Sequence, residues 1–306
     1  MSKYLIFSDF HISGRNPRSR IDNYYQSCLQ KLDEIIDLSK SVDCVICAGD
    51  FWDSPIVANT MVDDVIDRID LAKKDWYFIY GNHDLVTYNI ESSNSSSLSH
   101  MMRRSKYIKH LNEIEDKDIY IRGYDCTFNR EQLLKENGII HNSSKKITLA
   151  ITHNFITIKP FIKTVAHVQA KDIKTNYSII WCSHFHTNFD DIINGHKFVN
   201  LSSIGRTVIN EQHQPQVAIL DTETGKIDKI LLKSAKPSSE VFDLSKYEEI
   251  KQNEKSIDEF IEALNSATWR AADIYTQIEM IGKDTEVEKE VVDYLHNKIK
   301  QIKIGE

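Results

Sequence analysis

Apolar positions in the first half of the chain alternate between two periods. Residues 3–8 form a run of strand length. Residues 22–41 follow at helical spacing, with Tyr25, Cys28, Leu29, Leu32, Ile35 and Ile36 on one side. Residues 42–48 are a continuous apolar strand. Residues 56–74 return to the helical period through Val57, Met61, Val65, Ile66 and Ile69, with Ser54-Pro55 as a start signal. Residues 76–80 make a third strand, and a Ser-rich polar stretch, 91–97, leads into a short helix around 98–104. After a more irregular middle, 146–152 and 178–182 are strand-like. Residues 197–201 follow, then 216–220 and 226–232, the last two joined by a Thr222-Glu-Thr-Gly225 turn. The early alternation predicts an α/β sandwich; the later short loops predict a more antiparallel portion. From about residue 237 the pattern changes to two helices rich in Glu and Lys, 245–266 and 286–303. The expected organisation is a domain over 1–236 and an acidic helical tail over 237–306.

Charge sharpens that division. The net charge is −7, and residues 237–306 carry 9 Lys+Arg against 16 Asp+Glu, so the imbalance lies entirely in the tail. The first domain is neutral overall, and its composition does not argue against a polyanionic partner. No apolar run approaches the ~20 residues needed to span a bilayer, and the start lacks the basic and apolar regions of a signal peptide. The five cysteines are odd in number and scattered, which fits a reducing compartment. These features predict a cytoplasmic protein without membrane contact. Cys44-Val-Ile-Cys47 matches a C-x-x-C spacing, but within a strand its two thiols face opposite ways, so core packing is the expected role.

Five polar groups fall just past the carboxyl ends of predicted strands. They are Asp9-Phe10-His11, Gly49-Asp50, Gly81-Asn82-His83-Asp84, Thr152-His153-Asn154 and Ser183-His184-Phe185-His186. Sites in α/β sheets form where loops leave those ends, so the five loops can converge. Asp9 and His11, two apart on an extended backbone, point the same way, as do His184 and His186. Carboxylates, an Asn carbonyl and imidazoles make a mixed oxygen and nitrogen ligand field. It suits Mn²⁺, Fe²⁺, Zn²⁺ or Co²⁺ better than Ca²⁺ and lacks the thiolates of a structural zinc site.

The order D-x-H, G-D, G-N-H-D, H, H-x-H resembles the signature of calcineurin-like metallophosphoesterases over roughly residues 1–210. The resemblance implies a four-layer α/β/β/α sandwich with a C-terminal helical appendage. It also implies two divalent metal ions, with Mn²⁺ first and Mg²⁺ a further option. One ion would be held by Asp9, His11, Asp50 and His186, the other by Asp50, Asn82, His153 and His184, with Asp50 bridging. A hydroxide between the ions would attack phosphorus in line, and His83 would stabilise the phosphoryl oxygens or protonate the leaving oxygen. Within the superfamily, SDFHISGRNPRSR, GDFWDSPIVAN, GNHDLVTYNIESSNSSSL and FVNLSSIGR look closest to SbcD-type DNA repair exonucleases, including the short versions of tailed phages. That likeness implies DNA as substrate, an SbcC-like ATPase as partner, a homodimer as a further option and, for a phage protein, the host cytoplasm. Three departures stand out. Ser183 replaces the usual Gly before His-x-His, Asp53 stands where many relatives carry a histidine, and the chain is short enough that any DNA-capping region must be reduced.

Other residues have competing readings. Asp84 is expected to be a structural hydrogen-bonding partner rather than a ligand. Arg15, Arg18 and Arg20 follow the first metal loop and would contact a phosphate backbone or simply be solvated; Arg206 is the better-placed candidate, and Arg15 and Arg206 are taken as substrate-binding. The tail either packs on the parent domain or docks an ATPase. Three functions compete: a DNA exo/endonuclease of SbcD type, a phosphodiesterase for a small cyclic nucleotide or dinucleotide, and a non-catalytic assembly module.

Overall fold

Side chains of the first strand, β1 (Lys3–Phe7), point alternately into two separate apolar layers. Leu5 and Phe7 pack with Leu29, Leu32, Val65 and Ile69, whereas Tyr4 and Ile6 pack with Ile121, Leu149, Ile151 and Trp181. A strand buried on both faces needs apolar residues at nearly every position, which is why this run and 42–48 read as continuous. The computed structural model describes residues 2–127, 129–161, 165–245 and 293.

The remaining strands are β2 (Cys44–Cys47), β3 (Asp75–Phe78), β4 (Ile108–His110), β5 (Glu113–Glu115), β6 (Ile119–Tyr124) and β7 (Ile147–Thr152). They continue with β8 (Ile156–Thr157), β9 (Val168–Gln169), β10 (Ile179–Cys182), β11 (Phe189–Ile193), β12 (His196–Asn200), β13 (Gln216–Asp221) and β14 (Ile227–Leu231). The helices are α1 (Tyr24–Ser39), α2 (Asn59–Leu71), α3 (Ser97–Arg104) and the short α4 (Ser238–Val241). One six-stranded sheet has the order β14-β13-β1-β2-β3-β4, and a second has β11-β12-β10-β7-β6-β5. In the first, β1 to β4 run parallel and β13 joins β1 antiparallel. In the second, β6, β7, β10 and β12 are parallel, flanked by antiparallel β5 and β11. The two sheets face each other across the Tyr4–Trp181 layer. Helices α1, α2 and α3 cover the outer face of the first sheet, and the short π-helix Gln132–Asn137 with its neighbouring loops covers that of the second around Leu134, Ile156 and Val168. The architecture is the α/β sandwich that the periodicity predicted, built as two large sheets flanked by helices in the manner the family resemblance implied.

Cys44 and Cys47 fall into different layers, as their strand spacing requires, and all five cysteines are free and buried. Helix α1 is capped by Asn23, whose Oδ1 accepts from the Gln26 amide at 3.2 Å. Helix α2 begins at Asn59, later than the Ser54-Pro55 signal suggested. The Ser97 amide donates to the Pro55 carbonyl at 2.7 Å and the Val57 amide to Ser97 Oγ at 3.0 Å, so the start of α3 holds that stretch extended. The middle that reads as irregular contains β4, β5 and β6, and the unanticipated β8 and β9 lie between the expected strands β7 and β10. Strand β11, also unanticipated, pairs with β12 through Asn194-Gly195, both at positive φ (54° and 84°), the geometry that makes Asn-Gly a hairpin signal. The turn ending at Gly225 (φ 71°) forms as expected, with Asp221 Oδ1 accepting from the amides of Glu223 and Thr224. A first compact unit runs from Met1 to Phe242. Within it α4 is tied back by an Ile21 amide to Val241 carbonyl bond of 3.0 Å. The tail helices at 245–266 and 286–303 lie outside the described residues, apart from Ser245 and Asp293. Among the described residues no helix is long and apolar enough to cross a membrane.

Candidate metal centre

The five polar groups leave the carboxyl ends of β1, β2, β3, β7 and β10. The first two loops are joined by backbone bonds, from the Asp9 amide to the Gly49 carbonyl at 3.1 Å and from the His11 amide to the Asp50 carbonyl at 3.0 Å. Asp9, His11, Asp50 and His184 all sit at positive φ (53°, 52°, 49° and 77°), a conformation costly for side-chain-bearing residues and concentrated where function fixes the backbone. The glycines of the motifs are there for room. A Cβ on Gly81 would lie 2.1 Å from Asp50 Oδ1, and one on Gly49 (φ 91°) would lie 2.4 Å from His153 Nδ1. Ser183, in the usual glycine position, has its hydroxyl bonded to the Ala48 and Thr152 carbonyls. It thereby ties the end of β10 to both β2 and β7.

Among the described residues the side chains gather in three groups, one of them His11, Asp53 and His83, and Asp50 lies between the other two. Single ligand atoms of Asp9, His11 and His186 lie within 4.8 Å of one another, and so do those of Asp50, His153 and His184. Asp9 Oδ1 is 3.2 Å from His186 Nε2, and His11 Nε2 is 3.4 Å from the same nitrogen. Asp50 Oδ2 reaches into both groups, 3.1 Å from His153 Nε2 and 3.7 Å from His11 Nε2, while its Oδ1 accepts from the His83 amide at 2.8 Å. The His184 amide donates to Asp9 Oδ1 at 3.1 Å, joining the second group's loop to the first group's carboxylate. Asn82 follows Gly81 in the loop that touches Asp50, with its Oδ1 buried.

Two observations test whether divalent ions fit. His153 Nδ1 donates to the Ala48 carbonyl at 2.9 Å, which fixes the ring so that Nε2 faces the Asp50 carboxylate at 3.1 Å, the nitrogen a metal would take in place of a proton. Asn82 Oδ1 is buried without a hydrogen-bond partner, an arrangement that is costly unless a cation fills the gap. The protonation balance points the same way. Burial opposes charge on Asp50, yet His153, His11 and His83 hold its carboxyl far below the usual range. Burial opposes protonation of His153, yet Asp50 and Asp9 raise its pKa to about 9. The carboxylates thus demand positive charge beside them. His184 differs: burial and the neighbouring His153 push its pKa down to about 3, leaving a neutral imidazole ready to ligate.

His83 is half-exposed at the rim. Its Nδ1 lies 2.9 Å from the Asp53 carbonyl, which can only accept, so Nε2 is the nitrogen left for a ligand. Asp53 also places a carboxylate oxygen 3.5 Å from His11 Nδ1, so the residue replacing the family's histidine stays within the site. Asp84 is fully buried and accepts from the amides of Gly81 and Trp52 at 3.0 and 3.1 Å. It braces the loops rather than joining either group. Arg15 and Arg18 are exposed. Arg206 is 1% exposed, and its guanidinium donates to the carbonyls of His213 and Lys236 at 3.3 and 2.6 Å. Arg20 is buried as well, paired with Asp22 and bonded to the Gly205 and Arg206 carbonyls. With Lys31 Nζ on the Ile204 carbonyl at 2.7 Å, these cations brace the 204–206 turn, whose amides at 204 and 205 donate to the Asp9 carbonyl. In this arrangement Arg20 and Arg206 hold the first metal loop from behind rather than facing a phosphate.

Two residues of the site escaped sequence reasoning. Glu211 Oε1 bonds His186 Nδ1 and accepts from Ser203 Oγ at 2.6 Å, fixing the orientation of a proposed ligand. Arg130, whose Nη1 donates to the Ala166 carbonyl at 2.8 Å, lies close enough to help depress His184. Neither sits in a motif.

The calcineurin-like phosphoesterase superfamily domain matches residues 3–225. No curated protein matches the sequence. Similar solved structures include TT1561 of Thermus thermophilus, with 8% identity, a TM-score of 0.48, and coverage of 76% of this chain and 99% of that one. A dimetal phosphatase from Danio rerio has 11% identity, a TM-score of 0.46, and coverage of 76% and 99%. A novel archaeal phosphodiesterase has 15% identity, a TM-score of 0.40, and coverage of 75% and 99%.

Proposed function

The chain belongs to the calcineurin-like phosphoesterase superfamily, and from that premise we propose that it is a two-metal phosphodiesterase cleaving DNA in the manner of SbcD-type nucleases. The observation that carries the reading is the pair of ligand groups with Asp50 reaching into both, assembled from four separate loops and adjoined by a fifth, that of Asn82. Asp9, His11, Asp50 and His186 would hold one ion, and Asp50, Asn82, His153 and His184 the other. Bound there, divalent ions supply Lewis acidity and lower the pKa of a water, yielding a nucleophile at neutral pH. The protein's share is geometry. Asp50 faces both groups, Glu211 fixes the His186 ring, and the Ala48 carbonyl fixes the tautomer of His153. His83, with Nδ1 committed to the Asp53 carbonyl, presents Nε2 at the rim. Protonated there, it donates to a phosphoryl oxygen or to the leaving oxygen. DNA specificity is supported by the SbcD-like segments around Asp9, Asp50 and Asn82. The same reading gives the tail an SbcC-like ATPase as partner.

Turnover of short single- and double-stranded DNA is compared with that of cyclic nucleotides in Mn²⁺, for the wild type and His83→Ala. We expect DNA to be the better substrate, and His83→Ala to lower kcat by about 10²- to 10⁴-fold with its metal content retained. Preference for cyclic nucleotides transfers the site to a small phosphodiester. Absence of any hydrolysis by the metal-loaded wild type leaves the assembly-module reading. Undiminished turnover in His83→Ala removes its assigned role.

A further inference from the structure

Three half-buried phenylalanine rings meet beside the proposed metal ligand His184. Phe155 lies 4.8 Å from Phe185 at 32° and 5.2 Å from Phe161, and Phe161 lies 5.4 Å from Phe185. The His167 ring flanks two of them, 6.2 Å from Phe155 and 5.9 Å from Phe161. None of the three phenylalanines belongs to the apolar layers that hold the fold together. The surface is built rather than incidental. The Val168 amide donates to the Phe155 carbonyl at 3.0 Å, and β8 and β9 bury Ile156 and Val168, so the residues just before the two strands, Phe155 and His167, are held side by side. The cluster is continuous with the metal centre, since the Phe155 ring meets the His184 ring edge-on at 5.5 Å. Arg130 stands nearby, anchored on the Ala166 carbonyl.

We propose that Phe155, Phe161 and Phe185 form a stacking surface for one unpaired nucleobase of the substrate, next to the phosphate bound on the His184 side of the site. The proposal rests on the phosphodiesterase reading and adds which part of the nucleotide is recognised. In a nucleotide the base and phosphate are separated by one sugar, so their subsites must adjoin, as Phe155 and His184 do. Every base has a π-face, so aromatic rings bind it without demanding a sequence. A protein partner docked on the same rings would obstruct the metal centre, which argues for a substrate as occupant.

The test uses the full chain with Mn²⁺ and two dinucleotides, one carrying 2-aminopurine and one abasic at that residue. In the wild type, KM for the base-bearing substrate should be about tenfold below that for the abasic one, within the range for base–aromatic stacking. Binding should also quench the 2-aminopurine fluorescence. Phe161→Leu, which keeps an apolar side chain but removes the ring, should bring the two KM values together and abolish the quenching, and Phe161→Trp should restore both. An undiminished KM ratio or undiminished quenching in Phe161→Leu overturns the proposal. Should the wild type cleave neither dinucleotide nor short DNA, the nucleotide phosphodiesterase reading has failed. Fluorescence then decides the stacking surface alone, with quenching lost in Phe161→Leu supporting it and no quenching in the wild type overturning it.

Discussion

Glu211 does its work through another side chain. It is 5% exposed and accepts from His186 Nδ1, Ser203 Oγ and the Val208 amide, and these partners hold its carboxyl far below the usual range despite burial. A carboxylate behind a ligating imidazole fixes the ring and raises its basicity. Glu211→Gln keeps the shape but removes the charge, so metal affinity is expected to fall by about 10- to 100-fold. Calorimetric titration with Mn²⁺ measures this directly, and an unchanged affinity would remove Glu211 from the site. The metal-free variant should melt close to the metal-free wild type, which separates loss of ligand positioning from general loosening. The contrast with the ligands explains what is legible at this scale. Asp9, Asp50 and the histidines stand out as candidate ligands because their side-chain types suit a metal and their loops repeat one position relative to strands. Glu211 and Arg130 come near the candidate ligands only through proximity across long sequence separations. Arg206 shows the converse, a residue next to the motifs whose guanidinium is turned to the backbone of 213 and 236.

At the scale of elements, the loops are packed as tightly as a core, and the glycines reveal it. Gly81 lacks a positive φ, so its requirement is steric: a Cβ would fall 2.1 Å from Asp50 Oδ1 and 2.3 Å from the Asp50 amide nitrogen. Gly195, in the β11–β12 hairpin, has φ 84° but nothing within 4 Å of its Cβ position. The two substitutions therefore fail in different ways. Gly195→Ala should cost about 1 kcal/mol of backbone strain and leave metal binding intact. Gly81→Ala should displace Asp50, which serves both groups, and cost metal binding more than stability. Paired thermal melts and metal titrations check the contrast, and equal metal affinity in the two variants would show that Asp50 can move without consequence. Elements set by local signals were legible: the capped α1, the hairpin turn ending at Gly225 and the apolar β1 and β2. Strands β4 and β5 were not, because they are three residues each with charged positions, as in Glu113–Glu115, and β6 was not because Arg122 and Gly123 break its apolar run.

At the scale of the whole molecule, the alternation of periods revealed an α/β sandwich, but not which strands share a sheet. That assignment depends on pairings such as β1 with β13, which join residues more than 200 positions apart. The sheet assignment matters because the two ligand groups straddle the seam. β1, β2 and β3 of the first sheet supply Asp9, His11, Asp50, Asn82 and His83, and β7 and β10 of the second supply His153, His184 and His186. Bound ions would therefore cross-link the two sheets at one end of the sandwich. They would also neutralise Asp9 and Asp50, each 1% exposed. A ligand that binds the folded state alone stabilises it by about 2.7 kcal/mol at a hundredfold excess over Kd. For a domain of this size that corresponds to a rise in Tm of about 5–10 °C. Mn²⁺ added to the chelator-stripped protein should produce that rise and a chelator should reverse it. In Asp50→Asn, which leaves His153 facing a neutral amide, the metal-induced shift should collapse. A Tm that ignores Mn²⁺ in the wild type would mean that no ion bridges the seam, however close the ligand atoms lie.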